Sequence, residues 1–198
     1  TSSELGQRIV EHAILLLDEL GYEAFTFRKL ADRLGTVEPS IYRYFRNKQR
    51  LLLYLTAWYW SWMEYRVLMA TVNVVSPEER LRLALRELTQ AIRNDETTPR
   101  IDEAALYRVV VAESSKAYLH RDVDVENREG LFRAYKRLCR TVADMVVAVA
   151  PHYRYPVALV STAMESSHSQ KYFAEHLPSL TEVRHEDADS STTDFLTE

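Results

Sequence analysis

Cys139 is the only cysteine in this chain of 198 residues, so no intrachain disulfide can form. That fits a reducing compartment. Cys139 also lies on an apolar helical stripe, the setting of a buried and inert thiol. Glycine is scarce too. Gly6, Gly21, Gly35 and Gly130 stand alone, which excludes the glycine-rich loops that cradle nucleotides. No Gly-x-Ser-x-Gly, His-Glu-x-x-His or Cys-x-x-Cys occurs. No stretch alternates apolar and polar residues cleanly enough for a strand. The longest uncharged run, residues 51–63, ends at Glu64. It is shorter than the roughly 18 residues a membrane-crossing helix needs. No targeting signal stands at the amino end, so a soluble, cytoplasmic protein is expected. Leu, Ala, Arg and Glu dominate what remains, and the expected fold is all-α. The length suits one compact domain or two small ones.

Positive charge is also short overall. The formal net charge is −4, which argues against a broadly basic nucleic-acid coat. Its distribution says something else. Within residues 26–50, Arg28, Lys29, Arg33, Arg43, Arg46, Lys48 and Arg50 face only Asp32 and Glu38. The stretch 182–198 is the reverse, with acidic residues against Arg184 alone, and its Ser/Thr-rich composition predicts disorder. A cluster of basic residues is by default a solvated helix face. It is also the electrostatic footprint that phosphate binding requires.

What the basic stretch encodes decides between the two. Thr26 is a good N-cap, its hydroxyl placed to accept from free amides of the next turn. Phe27, Leu30, Ala31 and Leu34 recur at helical spacing and form one apolar face, leaving Arg28, Lys29, Asp32 and Arg33 outside it. Gly35 sits where that helix must end, since glycine takes the left-handed conformation at no steric cost. Thr36 and Val37 fill the turn. Pro39 fits only a first helical turn, so a second helix should begin near Glu38 and run to about residue 45. Ile41 and Phe45 face inward, which leaves Ser40, Tyr42, Arg43 and Tyr44 outside. Asn47 can cap the next helix, and Lys48 lies at its start, where an anion also meets free amides. Two short helices across a glycine turn, the second with an exposed polar face, are the layout of a helix-turn-helix.

These residues resemble the tetracycline-repressor (TetR) family of bacterial transcription regulators. The resemblance rests on Gly21-Tyr22-Glu23-Ala24-Phe25-Thr26 and Leu30-Ala31-Asp32-Arg33-Leu34-Gly35. It continues through Pro39-Ser40-Ile41-Tyr42-Arg43-Tyr44-Phe45 and Asn47-Lys48, and covers roughly residues 5–55. The family commonly has Val-Ser after the turn glycine. Here the pair is Thr36-Val37, which offers Thr36 as a cap one residue early. The resemblance implies a ligand-responsive DNA-binding regulator, expected to be a repressor that a small molecule releases from a palindromic operator. It implies a helix-turn-helix domain over 1–47, a helical ligand-binding and dimerisation domain over 48–181, and the acidic tail 182–198. It also implies that Thr26, Tyr42 and Lys48 hold the DNA backbone. Arg28, Glu38, Ser40 and Arg43 would then reach base edges, with Pro39 and Tyr44 adding apolar contacts and Lys29 on the same surface. No enzyme activity and no cofactor are expected.

The rest of the chain reads as helices. A first helix spans 4–20 and ends at Gly21. A long one runs from Lys48 to about Thr71 with aromatics on nearly every side, as in a helix buried on several faces. Ser76-Pro77-Glu78-Glu79 is a strong helix start, and that helix should reach about Asn94. Thr98-Pro99 opens another region, to about His120. Residues 124–150 read as one long amphipathic helix, with Leu131, Tyr135, Leu138, Val142, Met145 and Val149 on its stripe. Residues 156–176 form the last, rich in Ala, Ser and Thr. The last two helices could pack within the chain. The family uses its final two helices to dimerise, so a homodimer joined through 124–150 and 156–176 is expected, with Val142 in the seam.

Two constellations carry possible chemistry. Glu165-x-x-His168 is half of a di-iron motif, but no second pair exists to complete it. An all-helical metal enzyme built on Glu165 and His168 is therefore one rival reading. An interaction module with a silent helix-turn-helix is the other. The aromatics are either hydrophobic core or the wall of an effector pocket, since pockets are mostly apolar with a few polar groups. The pocket candidates are Trp58, Trp62, Tyr65, Tyr107, Tyr118, Tyr135, His168 and Tyr172.

Overall fold

The computed structural model describes residues 3–90, 92, 101–184 and 187–197, and among them helices and turns account for all regular structure. By its contacts the chain divides into two compact units. One comprises Thr1–Tyr59 with Ile92–Leu131, the other Trp60–Ala91 with Phe132–Glu198.

In the first unit, α1 (Glu4–Ala24) begins at Ser3, whose hydroxyl accepts from the Gly6 amide at 3.1 Å. Gly21, at φ 72 and ψ 164, breaks α1 before its last residues. The helices α2 (Phe27–Leu34) and α3 (Glu38–Tyr42) follow. Then comes α4 (Lys48–Thr71), whose first half to Tyr59 belongs here. α6 (Glu103–Tyr118) and α7 (Val123–Arg128) complete the unit. Ile9, Ala13, Phe25, Leu30, Ile41 and Leu51 are essentially fully buried and form its centre, and α6 adds Leu106 and Val110. α6 is started by Asp102, whose carboxylate accepts from the Ala105 amide at 2.8 Å. The start signal Thr98-Pro99 lies outside the described residues.

In the second unit, α5 (Pro77–Thr89) begins as expected, Ser76 accepting from the Glu79 amide at 3.3 Å. It ends at Thr89, and the rest of the expected helix, 91 and 93–94, lies outside the described residues. The single helix expected over 124–150 is instead two, α7 and α8 (Arg133–Val149). The cause is Gly130, at φ 83, where the Gly130 and Leu131 amides turn back to the Asn127 and Glu126 carbonyls. α8 packs on α5 and on α9 (Pro156–His176). Leu138, Cys139, Val142, Met145 and Val146 are its buried face. Cys139 sits 3.8 Å from the Met164 sulfur, and burial pushes its thiol pKa up to about 11, so it is the inert thiol expected.

The tail expected to be disordered carries a helix, α10 (Ala188–Thr197), packed on α5 and α9. Its composition is acidic and polar, but composition does not show a buried partner. Lys171 of α9 supplies one: its ammonium donates to Asp189 at 2.6 Å and to the Thr89 carbonyl. Thr192 of α10 is itself fully buried.

Candidate nucleic-acid interface

The helix-turn-helix is built by the capping chemistry of its own residues. Thr26 Oγ1 accepts from the Lys29 amide at 3.3 Å and starts α2. Gly35, at φ 63 and ψ 37, ends it in the left-handed conformation, with the Thr36 amide returning to the Ala31 carbonyl at 3.0 Å. The cap of α3 is Val37, not Thr36, and it provides no side-chain hydrogen bond. Pro39 in the first turn sets the helix start instead, at Glu38 as expected. α3 is shorter than the sequence suggested. It ends at Tyr42, and a turn carries the chain on, the Tyr44 and Phe45 amides both reaching the Ile41 carbonyl.

Inward, Ile41 is fully buried and Phe45 nearly so. Outward, Arg28 and Arg43 are exposed, and neither guanidinium has a partner among the described residues. Pro39 is exposed, while Glu38 and Ser40 are half-buried. The Tyr42 ring is 51% exposed and stands edge-on to Phe27 at 5.0 Å between centroids, which fixes its direction without hiding its hydroxyl. Tyr44 is half-buried, its hydroxyl 2.6 Å from Ser3 Oγ, so its polar end faces the start of α1. Both lysines reach backward. Lys29 donates to the Ala24 carbonyl at 2.8 Å, and Lys48 to the Tyr22 carbonyl at 2.9 Å. An ammonium has three hydrogens, so neither lysine is exhausted by these bonds.

Residues 9–55 match the model of the bacterial regulatory proteins of the tetR family. The chain is 48% identical over 44 residues to the class A tetracycline repressor protein of transposon 1721 from Escherichia coli, over 22% of this chain and 20% of that one. It is 30% identical over 114 residues to the transcriptional repressor KstR of Rhodococcus jostii RHA1, over 58% of this chain and 51% of that one. Beyond the matched segments the fold agrees as well. AibR, solved with isovaleryl coenzyme A and operator DNA, superposes with a TM-score of 0.66 at 15% identity, over 97% of each chain. The likeness to the tetR family is therefore one of residues 9–55, and beyond them it is a likeness of fold. The chain spans about half the length, or less, of the two repressors named here.

The effector-pocket candidates are distributed over both units. Trp58, Tyr107 and Tyr118 belong to the first unit, where all three are half-buried and Tyr107 lies 6.3 Å from the Tyr59 ring. Trp62, Tyr65, Tyr135, His168 and Tyr172 belong to the second. There Arg66 covers the Trp62 ring at 5.0 Å, while Tyr65 and Tyr172 are exposed. Tyr135 and His168 both lie against the buried Trp60, with ring centroids 4.7 and 5.6 Å from it. The Tyr135 hydroxyl donates to Glu165 at 2.9 Å. Glu165 and His168 are thus engaged by Tyr135 and Trp60, and among the described residues no three His, Cys, Asp or Glu side chains could hold a metal ion. Trp60 is the residue that sequence reasoning left off its candidates; as one aromatic among many in α4, it carried no distinguishing signal. A groove of about 240 Å³ in the second unit is lined by Leu68, Pro77, Arg80, Thr141, Asp144, Met145 and Ala148, none of them a candidate.

His168 has a pH consequence. Burial, and after it the charge of Lys171, pushes its imidazole pKa down from 6.5 to about 4. The unfolded chain therefore takes up a proton below pH 6.5 that the folded chain refuses. Stability from this group is intact above pH 6.5 and is lost as pH falls toward 4. At 1.36 kcal/mol per unit, urea unfolding at pH 5 should show a loss on the order of 2 kcal/mol relative to pH 7.5. A His168→Phe variant should show a loss smaller by that amount. Equal losses in both proteins would remove His168 from the account.

Proposed function

We propose that this chain is a ligand-responsive transcriptional regulator rather than an enzyme. It acts in the bacterial cytoplasm as a homodimeric repressor that a small molecule releases from a palindromic operator. The observation that carries the reading is the pair Arg28 and Arg43, exposed and uncommitted on either side of the Gly35 turn. Such side chains serve the bidentate reading of guanine in the major groove, worth about 1–3 kcal/mol of discrimination each. Around them Thr26, Tyr42, Lys29 and Lys48 hold phosphates, Glu38 and Ser40 reach base edges, and Pro39 and Tyr44 add apolar contact. AibR was solved with both an acyl coenzyme A and operator DNA, and the shared fold supports the same two-ligand logic here.

One short recognition helix covers few base pairs. Two of them on a symmetric dimer read half-sites about 34–36 Å apart. The face that supports the dimer is on α9. Tyr155, Leu159 and Tyr172 are exposed along it, together with Ala158, Thr162 and Ser169, and no charged side chain is exposed between Val157 and Gln170. For the effector, Tyr135, Glu165 and His168 around Trp60 are the polar groups best placed in the second unit; the other aromatic candidates remain secondary.

Selection from a random duplex pool tests the reading. The wild-type protein should enrich a palindrome with half-sites one helical turn apart. Arg28→Ala and Arg43→Ala should each relax one position per half-site while keeping helix content. Enrichment of nothing would return the chain to an interaction module, and an unaltered preference in both variants would sink the base-reading assignment.

A further inference from the structure

We infer that Glu113 is a positioning residue for DNA contact: from α6 it fixes the broken end of α1 and, through Tyr22, the ammonium of Lys48. The inference rests on the DNA-binding reading of Lys48. All the groups involved lie in the first unit.

The starting point is the break at Gly21, which turns the Tyr22 amide out of the helix. That amide donates to Glu113 Oε1 at 3.0 Å. The other Glu113 oxygen accepts from the Lys116 ammonium at 2.6 Å. Glu113 is only 8% exposed, so its carboxylate is a committed partner rather than a passing one. Tyr22 is then held at every remaining polar point. Its hydroxyl donates to Gln49 at 2.9 Å, and Gln49 donates to the Lys116 carbonyl at 3.0 Å. Its carbonyl accepts from Lys48 Nζ at 2.9 Å, with the Glu23 carbonyl at 3.4 Å. Its ring lies 4.3 Å from the same ammonium and 5.6 Å from that of Lys116.

Lys48 therefore does not hang free in front of the reading head. Its ammonium is aimed by two main-chain carbonyls and one aromatic face, all on a segment whose amide is pinned by Glu113. A buried carboxylate serves this purpose where a leucine of similar size would not, because the leucine would leave the Tyr22 amide unpaired. The sequence distance, 91 residues between donor and acceptor, puts the link out of reach of any local motif.

The test uses the full chain and a random-sequence 30-base-pair duplex, with affinity followed against NaCl concentration. Lys48→Ala should lower the salt slope by about one. Glu113→Leu should do the same and weaken binding about tenfold at fixed salt. Glu113→Gln, whose carbonyl still accepts from Tyr22, should restore the slope. The double variant should bind no more weakly than Lys48→Ala alone, since both substitutions remove one contact. Without DNA, hydrogen exchange at the Tyr22 amide should be slow in wild type and Glu113→Gln and fast in Glu113→Leu. Additive effects in the double variant, or a wild-type slope in Glu113→Leu, overturn the inference. Unchanged Tyr22 exchange in Glu113→Leu overturns it whatever the DNA data show. A wild-type slope in Lys48→Ala instead sinks the phosphate reading of Lys48, a separate failure visible with the exchange pattern intact. Should Glu113→Leu lose helix content, Glu113→Ala takes its place; failure of both to fold makes Glu113 a structural prop and overturns the inference.

Discussion

Val142→Glu is expected to unfold the second unit, not to separate two intact subunits. Val142 has no exposed surface, and its neighbours on the same face of α8, Leu138 and Met145, are buried with it. A carboxylate placed there has no partner, and burying one unpaired costs several kcal/mol. That is a large share of the 5–15 kcal/mol that holds a typical domain together. The measurement is urea unfolding followed by circular dichroism, with a midpoint far below wild type expected. Leu159→Glu is the contrasting substitution. Leu159 is 43% exposed on the uncharged face of α9, so its replacement should keep helix content and stability. It should shift sedimentation from dimer toward the 23.1 kDa monomer. A wild-type protein that sediments as a monomer at micromolar concentration would remove the dimer and the palindrome together. Folded, stable Val142→Glu would show that α8 does not pack as described.

Trp60→Ala is the second large effect. Trp60 is 2% exposed and lies against both Tyr135 and His168, its ring nearly parallel to the imidazole with 24° between planes. Removing so large a buried side chain costs about 3–5 kcal/mol, because the atoms lost leave a cavity the neighbours fill only in part. A second readout separates this local loss from general loosening. With the indole gone, water reaches His168, and its titration should move from about 4 back toward 6.5. A destabilised variant whose His168 still titrates near 4 would show that burial by other side chains, not Trp60, holds the imidazole neutral.

The helix-turn-helix was legible in the sequence because local chemistry determines it. Thr26, Gly35 and Pro39 each act on residues within one turn, and their roles are as read. Val37 as the uncapped start of α3 was not legible, since a threonine beside the turn looked the better cap. The apolar stripe of α8 was also visible, but periodicity gives a buried face without saying what buries it. Its partners are α5 and α9 of the same chain. The helix expected over 124–150 was drawn through Gly130, whose positive φ makes it a break. The acidic tail misled for a related reason, since the buried ammonium that orders it is on a helix elsewhere in the sequence. Tyr22 stood within the residues that carry the resemblance, yet its role depends on Glu113 far along the chain.

The Lys171–Asp189 pair also bears on how the carboxy end can be handled. Only 12% of the Lys171 side chain is exposed. A chain shortened before Asp189 loses that carboxylate together with α10, and the surfaces of α5 and α9 that α10 covers go to water. Trimming an end that looks dispensable by composition would thus weaken the protein from within, and a truncated version would report the behaviour of a damaged fold rather than that of an intact one without its tail.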